Sequence, residues 1–438
     1  MVARLENATG QPRQKIAIVG TGIAGNVIAC QLRDRHDITV FEANDYIGGH
    51  SNTVDVAADG DQLKLDTGFI VFNDRTYPYF TRLLDELGVE SQESTMSFSV
   101  RCQENGLEYA GSSLNTLFAQ RLNVLRPSFH RMIRDILRFN RESVVFLQQD
   151  ETFMTLAEYL ARNKYSREFV QHYLIPMGAA IWSAEPRMLQ KIPAQFFIRF
   201  FHNHGLLSLK NRPIWRVIRN GSQSYVQKLV AGHRDRIRLN SPVTSVIRQG
   251  NKVMVRSRDN NAETFDCIFF ACHSDQALRI LRDASSAERE VLGAIAYQHN
   301  EAILHSDRKV MPTRRRAWAA WNYEVPARFD GPATVTYHLN RLQGLSSRRQ
   351  FFVTLNSDER INRAAVIKKF SYEHPVFNAA SIAAQKRRGE INGANRSYFA
   401  GAYWRNGFHE DGVVSALNAL ADFEQKNGHA ELHLQRAG

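Results

Sequence analysis

Cysteines, acidic residues and long apolar runs are what this chain has little of. Its 438 residues hold four cysteines, Cys30, Cys102, Cys267 and Cys272, with no C-x-x-C pair and no metal-type spacing. That argues against a disulfide framework or a zinc cluster, and the plain reading is reduced, buried thiols in a cytoplasm. No run approaches the ~20 apolar residues of a membrane-spanning helix. The opening MVARLENATGQPRQK lacks the apolar core of a signal peptide and reads as a disordered lead-in. There is no internal repeat, no low-complexity tract, no visible Ser/His/Asp arrangement and no metal-ligand cluster. The shortage of acids leaves a net charge of +12. Nucleic acid is not an expected partner, because no nucleic-acid module appears and the cations are spread along the chain.

One absence is local. From Pro186 to Arg234 there is no Asp or Glu, while nine Lys and Arg fall inside, together with Phe196, Phe197, Phe200, Phe201, Leu206, Leu207, Leu209 and Trp215. Cations mixed with aromatics and leucines suit an anionic bilayer surface, where each adds roughly 1 kcal/mol. A core helix with solvated arginines is the equal alternative. In Pro127 to Phe146, apolar Phe129, Met132, Ile133, Ile136 and Leu137 make one helical face, which reads as a helix packed on the core.

What is present begins with Lys15 to Thr53. The apolar run Ile16 to Val19 stops at Gly20-Thr21-Gly22-Ile23-Ala24-Gly25. A helical pattern follows, then a second run, Ile38 to Phe41, closed by Glu42. This is strand, glycine turn, helix, strand, with an acid twenty residues beyond Gly22. Gly20 permits the tight turn, Gly22 lets a pyrophosphate approach the backbone, and Gly25 lets the helix sit close to the strand. The helix N-terminus offers free N–H groups to phosphates, and Glu42 is placed to accept ribose hydroxyls. The unit predicts a dinucleotide site. A second glycine pair, Gly48-Gly49-His50-Ser51, and then Asp66-Thr67-Gly68-Phe69 favour FAD over NAD.

Farther along, helical periodicity dominates: Thr81 to Leu87, Thr155 to Arg162 and Phe169 to Leu174 read as helix pieces. A helix at Tyr225 to Val230 precedes an alternating strand pair turning near Gln249-Gly250, then a buried strand in TFDCIFFACHS. Short apolar strands are expected at Glu301 to Ser306, Ala333 to Asn340 and Phe351 to Leu355. The segment SYFAGAYWRNGFHEDGVVSALNAL reads as strand, loop and a helix beginning near Gly412.

The glycine pattern resembles the flavin amine oxidase superfamily, which includes protoporphyrinogen oxidase and phytoene desaturase relatives. GFHEDGVVSALNA resembles that superfamily's closing motif, a helix N-terminus aimed at the flavin. Two departures stand out: Ala416 where the family has glycine, and Ala402-Tyr403 where it has an acid. Ribityl contacts are therefore expected from Glu410 or Asp411. FEANDYIGGHSNTVDV, LDTGFIVFNDRTYP, MSFSVRCQENGLEYAG, LIPMGAAIWS, FFHNHGLL, AWAAWNY and GFHEDG together resemble a bacterial flavoprotein subfamily commonly encoded beside cyclopropane-fatty-acid-synthase-like methyltransferases.

That resemblance implies an α/β, two-domain flavoprotein. A Rossmann-like FAD-binding domain would be built from 1–75, 215–285 and 390–438, and a mixed α+β substrate domain from 76–214 and 286–389. The cofactor would be FAD, held by Gly20, Gly22, Ile23, Ala24, Gly25, Glu42, Ala43, Gly48, Gly49, His50, Ser51, Thr67, Gly68, Phe69, Val243 (behind the adenine), Glu410, Asp411, Gly412 and Val413. The implied activity is dehydrogenation or desaturation of an unsaturated or methylated fatty acyl chain of membrane phospholipid, by hydride transfer to flavin N5. Implied partners are a lipid or fatty acyl substrate, an anionic membrane surface and a lipid methyltransferase, with the protein cytoplasmic and peripheral on the inner membrane.

A flavin needs no protein nucleophile to accept a hydride; the protein positions the C–H bond, excludes water and, where needed, removes a proton. The catalytic candidates are Asn73, Tyr77, His305, Trp321, Asn322 and His409, with Trp318, Asn340 and Gln343 beside them. His305, following an apolar strand, is a candidate general base, the commoner alternative being a hydrogen-bonded structural histidine. Trp318 and Trp321, three apart, are more often core than cage. A buried chain gains ~0.8 kcal/mol per methylene, so a long apolar substrate binds without an ion pair. Amine oxidation is the rival, and a redox-neutral or non-catalytic flavoprotein serving the methyltransferase is a third class. The Phe196–Phe201 cluster is expected to border the substrate opening at a membrane surface.

Overall fold

The computed structural model describes residues 13–149, 154–258, 262–327 and 331–427. The lead-in expected at the N-terminus lies, over residues 1–12, outside them. A five-stranded parallel sheet is ordered Ile237–Arg238, Asp37–Phe41, Lys15–Val19, Cys267–Phe270, Ser397–Phe399. Its strands come from three well-separated parts of the chain. Ile16, Ala17 and Ile18 in one central strand, and Ile268, Phe269 and Phe270 in its neighbour, are fully buried on both faces, which is why these strands read as continuous apolar runs. One face is covered by the Ile23–Leu32, Gln223–Val230 and His409–Lys426 helices. The other carries the three-stranded Val243–Gln249, Lys252–Ser257, Glu263–Phe265 sheet and the Ser274–Ile280 and Ser286–Gly293 helices.

A second, seven-stranded sheet runs Val366–Val376, Ala296–His305, Phe352–Leu355, Thr334–His338, Trp321–Val325, Phe98–Cys102, Glu108–Ala110. Three of its strands answer to the short apolar runs seen in the sequence. The eleven-residue Val366–Val376 strand is interrupted by Lys368, Lys369 and Glu373 and carried no such signal. Helices pack against this sheet, among them Pro127–Phe146, Ile175–Trp182 and Ala194–Asn203, around a core rich in Phe and Tyr. In Pro127–Phe146, Phe129 and Met132 of the expected face are buried and Ile133 and Ile136 half-buried, so the helix packs on the core. Leu137 is instead exposed, and Phe139, outside that face, is buried. The expected helix at Phe169 to Leu174 is continuous with its neighbours but widens to a π-turn over Val170–Leu174.

Two expectations are corrected. Phe197, Phe200 and Phe201 are buried, Phe197 stacked on Phe201 and both Phe197 and Phe200 packed at a tilt on Trp182. Phe196 is half-buried against Phe377, so this cluster belongs to the core and does not form a membrane-facing surface. The C-terminal helix begins at His409 rather than near Gly412. Glu410 and Asp411 therefore lie in its first turn, and their carboxylates are already engaged. Glu410 accepts from Tyr79 N (3.1 Å) and Phe80 N (2.8 Å), capping the Pro78–Glu86 helix. Asp411 accepts from Phe408 N (2.9 Å) and Asn406 N (3.2 Å). No helix among the described residues is long and apolar enough to cross a membrane.

Candidate active site

A cavity of about 1040 Å³ runs between the parallel sheet and the seven-stranded sheet. Pockets built for one drug-sized ligand span roughly 300–1,000 Å³, so this one has space for a large cofactor and something beside it. It has two chemically distinct halves. One is lined by glycine backbone and Glu42, the other by aromatic and aliphatic side chains.

The glycine half is built by close backbone approach. Gly20 sits at φ 100°, and a Cβ there would lie 2.8 Å from Ala271 O. At Gly25 a Cβ would come within 2.0 Å of Gly20 O, which forces glycine where the first helix crosses the turn. Gly22 differs: a Cβ there would meet nothing within 4 Å and would project into open space. Gly49 faces Gly22, its Cβ position 3.2 Å from Gly22 Cα, and Gly412 packs its backbone on Ile23. The N-termini of the Ile23–Leu32 and His409–Lys426 helices thus converge on one cradle, where free N–H groups favour an anion.

Glu42 ends the second strand and is buried. Its Oε2 accepts from Thr21 N (2.9 Å) and the Thr21 hydroxyl, and its Oε1 from Asn44 N and Nδ2 (both 2.9 Å). A ribose hydroxyl arriving there would share or displace the Asn44 bonds. His50 Nε2 is buried and has no hydrogen-bond partner among the described residues. Burial, with His374 and His273 nearby, holds the His50 ring neutral. An open glycine face, two helix N-termini, a buried carboxylate and an unsatisfied imidazole nitrogen are a donor and acceptor set that fits FAD.

Of the residues proposed from sequence for the cofactor, Gly20, Gly22, Ile23, Ala24, Glu42, Ala43, Gly48, Gly49, His50, Gly68, Phe69, Val243 and Gly412 line the cavity. Gly25, Ser51, Thr67, Glu410, Asp411 and Val413 do not, and they act behind it. Ser51 joins a buried triangle, its Oγ 2.6 Å from Tyr225 Oη and 3.1 Å from His409 Nε2, while Tyr225 Oη lies 2.7 Å from the same nitrogen. Burial pushes the His409 pKa down to about 3, and its ring stacks at 3.7 Å on Phe69. Thr67 bonds Asn52 O and Tyr372 Oη.

Among the catalytic candidates, Tyr77, Trp321 and His409 line the cavity. His305 does not: Nδ1 accepts from Asp307 N (3.1 Å) and Nε2 meets Thr354 Oγ1 (2.7 Å), so both nitrogens are spent inside the sheet. His305 is a structural histidine and not a general base. Asn73 accepts from Arg75 N and Thr76 N as a turn. Asn322 is saturated by Ala319, Ser99 and Thr336. Trp318 donates to Pro312 O, Asn340 to Ser347 and Arg349 carbonyls, and Gln343 to Lys64 O. These five hold loops together away from the cavity.

The apolar half is walled by residues such as Phe98, Met177, Ile181, Trp215, Phe377 and Phe408, with Phe200 from the buried cluster. One residue there escaped the sequence reading. His204 ends the Ala194–Asn203 helix, stacks at 3.9 Å on Phe200 and lines the cavity. Its Nδ1 lies 3.0 Å from Phe200 O, and a carbonyl only accepts, so Nδ1 carries the proton. Burial holds its pKa down at about 4. The ring is therefore neutral at pH 7 with an unprotonated Nε2, a proton acceptor on the largely apolar wall of this half. FFHNHGLL contained it, but nothing in the sequence separated this histidine from His202. Exposed lining residues fall near Glu42 (Ala43, Asn44, Arg279), at Ser371 in the Val366–Val376 strand, and around the apolar half (Thr95, Gly111, Ser112, Arg212).

Comparison with known proteins agrees with the geometry. The family model of flavin-containing amine oxidoreductases matches residues 23–315. A protein of Mycobacterium tuberculosis named as the flavin-containing monoamine oxidase AofH is 25% identical over 255 residues, 57% of this chain and 54% of that protein. The chain thus spans about half the length of this curated relative. A fatty acid isomerase from P. acnes superposes with a TM-score of 0.66 at 15% identity, covering 94% of this chain and 98% of that one. Cyclohexylamine oxidase from Brevibacterium oxydans gives 0.68 at 15% identity, covering 95% and 100%. At such identities these two likenesses show the fold alone.

Proposed function

Because the chain belongs to the flavin-containing amine oxidoreductase family, with FAD as its cofactor, we propose that it oxidises an apolar acyl chain lying in the aromatic half of the cavity. The observation that carries this reading is the lining itself. Among the described residues, the carboxylates along the cavity are Glu42 at the glycine end and Glu373 beside His273, and none lines the aromatic half. An ammonium substrate would find no counter-charge there, and exposed Arg212 at the opening would repel it. The same arginine suits the carboxylate or phosphate at the head of an acyl substrate. The fold hosts both kinds of chemistry, so it does not choose between them.

Bound FAD supplies a two-electron acceptor. The chain's own residues do the rest. The paired glycines and the two helix N-termini would hold the pyrophosphate, and Glu42 the ribose. Phe98, Met177, Ile181, Phe377 and Phe408 desolvate the chain and fix which carbon is presented; alignment in such a site contributes up to about 7–11 kcal/mol to the barrier. Neutral His204 takes a proton at Nε2. The Ser51–Tyr225–His409 triangle keeps Phe69 and the cofactor floor rigid.

Amine oxidation is the second reading, favoured by the aromatic lining, since aromatic faces bind cations. Anaerobic addition of a monounsaturated phospholipid, in detergent, to the purified yellow protein separates the two. Bleaching of the flavin by lipid and not by spermidine is the expected result. Bleaching by spermidine alone moves the assignment to an amine oxidase, and bleaching by neither to a redox-neutral isomerase or a non-catalytic partner.

A further inference from the structure

The cavity's aromatic half opens between two short segments that present leucines to solvent. On one side Gly111 and Ser112 line the opening, and the chain continues into the Leu114–Leu117 helix and the Arg121–Leu125 turn. Leu114, Leu122 and Leu125 are 76%, 72% and 79% exposed. On the other side Arg212 lines the opening, within a loop whose Leu209 and Ile214 are 69% and 48% exposed. Exposed apolar side chains scattered singly are ordinary, whereas ones grouped beside an opening mark an interaction surface.

Neither segment is loose. Arg121 donates to Asn115 Oδ1 (2.6 Å) and Phe118 O (3.0 Å), His130 bonds Val124 O (2.7 Å), and Ser113 and Thr116 form a capping box. Opposite, Arg212 Nε donates to Ser208 O (2.8 Å), Arg75 to Asn211 O (2.9 Å), and Ile214 N to Asp74 (3.3 Å). Several backbone groups of both segments are thus bonded by side chains, while the leucines stay exposed.

The surrounding charge is predominantly positive, although Arg131 pairs with Glu168 (2.8 Å) and Asp74 accepts from Ile214 N. From Tyr109 to Arg134 there is no acid but four arginines. The loop beyond it lies in the acid-free stretch from Pro186 to Arg234. Exposed Arg314, Arg315 and Arg316 precede and form the turn packed on the Leu114–Leu117 helix, and their acidic neighbour Glu108 is buried under Thr313 N and Arg314 N.

We infer that these two segments dock the rim of the cavity onto an anionic phospholipid bilayer, so that an acyl chain passes from the membrane into the aromatic half without crossing water. Leucines enter the interface while the arginines meet headgroup phosphates. This deepens the acyl-chain reading and rests on it, and it relocates the membrane face from the buried phenylalanines to the exposed rim.

Vesicle flotation of the FAD-loaded protein tests it. Wild type should float with vesicles of phosphatidylglycerol and phosphatidylcholine and not with phosphatidylcholine alone. Leu122→Asp, Leu125→Asp and Leu209→Asp combined should lower the partition coefficient at least tenfold with FAD content and Tm retained. Arg126→Glu with Arg316→Glu should lower it roughly 25-fold or more, about fivefold for each cation lost. Unchanged flotation of the leucine variant overturns docking, as does a wild type that does not float. A wild-type dimer made monomeric by the leucine substitutions overturns it too, since a second copy then covers the rim. Flavin bleaching by detergent-dispersed lipid is read separately: bleaching without flotation rejects the bilayer and leaves the acyl substrate standing.

Discussion

Alanine at Gly22 and at Gly25 should separate binding from folding, although the two positions are three residues apart in one motif. At Gly22 the backbone is extended (φ −63°, ψ 178°), a conformation alanine adopts freely. The added methyl touches no protein atom within 4 Å. The fold should lose no more than about 1 kcal/mol, the cost of a poorer helix cap. A cofactor phosphate against that backbone would meet the methyl directly, and overpacking of this kind costs about 1–3 kcal/mol, or roughly 5- to 150-fold in Kd. At Gly25 the methyl would sit 2.0 Å from Gly20 O, which only separation of helix and strand can relieve, at about 3 kcal/mol or more. Thermal melting of the FAD-free proteins, with quenching of flavin fluorescence on titration, reads both effects. Gly22→Ala should melt near wild type and bind FAD weakly, whereas Gly25→Ala should melt early or fail to fold. Wild-type affinity in Gly22→Ala would refute the placement of the pyrophosphate. Equal loss of apo stability in both variants would refute the steric reasoning.

Two further outcomes are open to direct measurement. His204→Asn can preserve the hydrogen bond to Phe200 O but not the proton acceptor, so kcat should fall about 10²–10⁴-fold with FAD binding unchanged. In the wild type, lowering the pH protonates Nε2 only near the depressed pKa of about 4. The acid limb of kcat should therefore lie near pH 4 and not near the ~6.5 of a free histidine, and an unaltered kcat in the variant removes His204 from the mechanism. Arg248, buried against Glu288 and also bonded to Asp283, ties the Val243–Gln249 strand to the Ser286–Gly293 helix. Arg248→Ala should cost about 3–5 kcal/mol by stranding the Glu288 charge, read as a lowered urea midpoint.

What the sequence disclosed depended on range. Gly20, Gly22, Gly25 and Glu42 were legible because a tight turn, a helix crossing and a strand end all lie within some twenty residues. Gly48, Gly49 and Gly68 followed because their register behind Glu42 was local too. The Ser51–Tyr225–His409 triangle was invisible, since its members are up to 358 residues apart. His305 looked available at a strand end until strand pairing brought Thr354 to its ring. Glu410 and Asp411 read as free because helix starts are poorly marked when the cap is Phe408 rather than Ser, Thr, Asp or Asn. The phenylalanine run carried composition but no direction, and packing turned it inward.

The claim that one cavity holds FAD at its glycine end and an acyl chain at its aromatic end is tested most directly by photoaffinity mapping. A fatty acid with a terminal diazirine, irradiated in the FAD-loaded protein and located by mass spectrometry, should label Met177, Ile181, Phe377 or Phe408, and unlabelled oleate should suppress the labelling. Labels confined to residues outside the cavity, or labelling suppressed by spermidine and not by oleate, would contradict it.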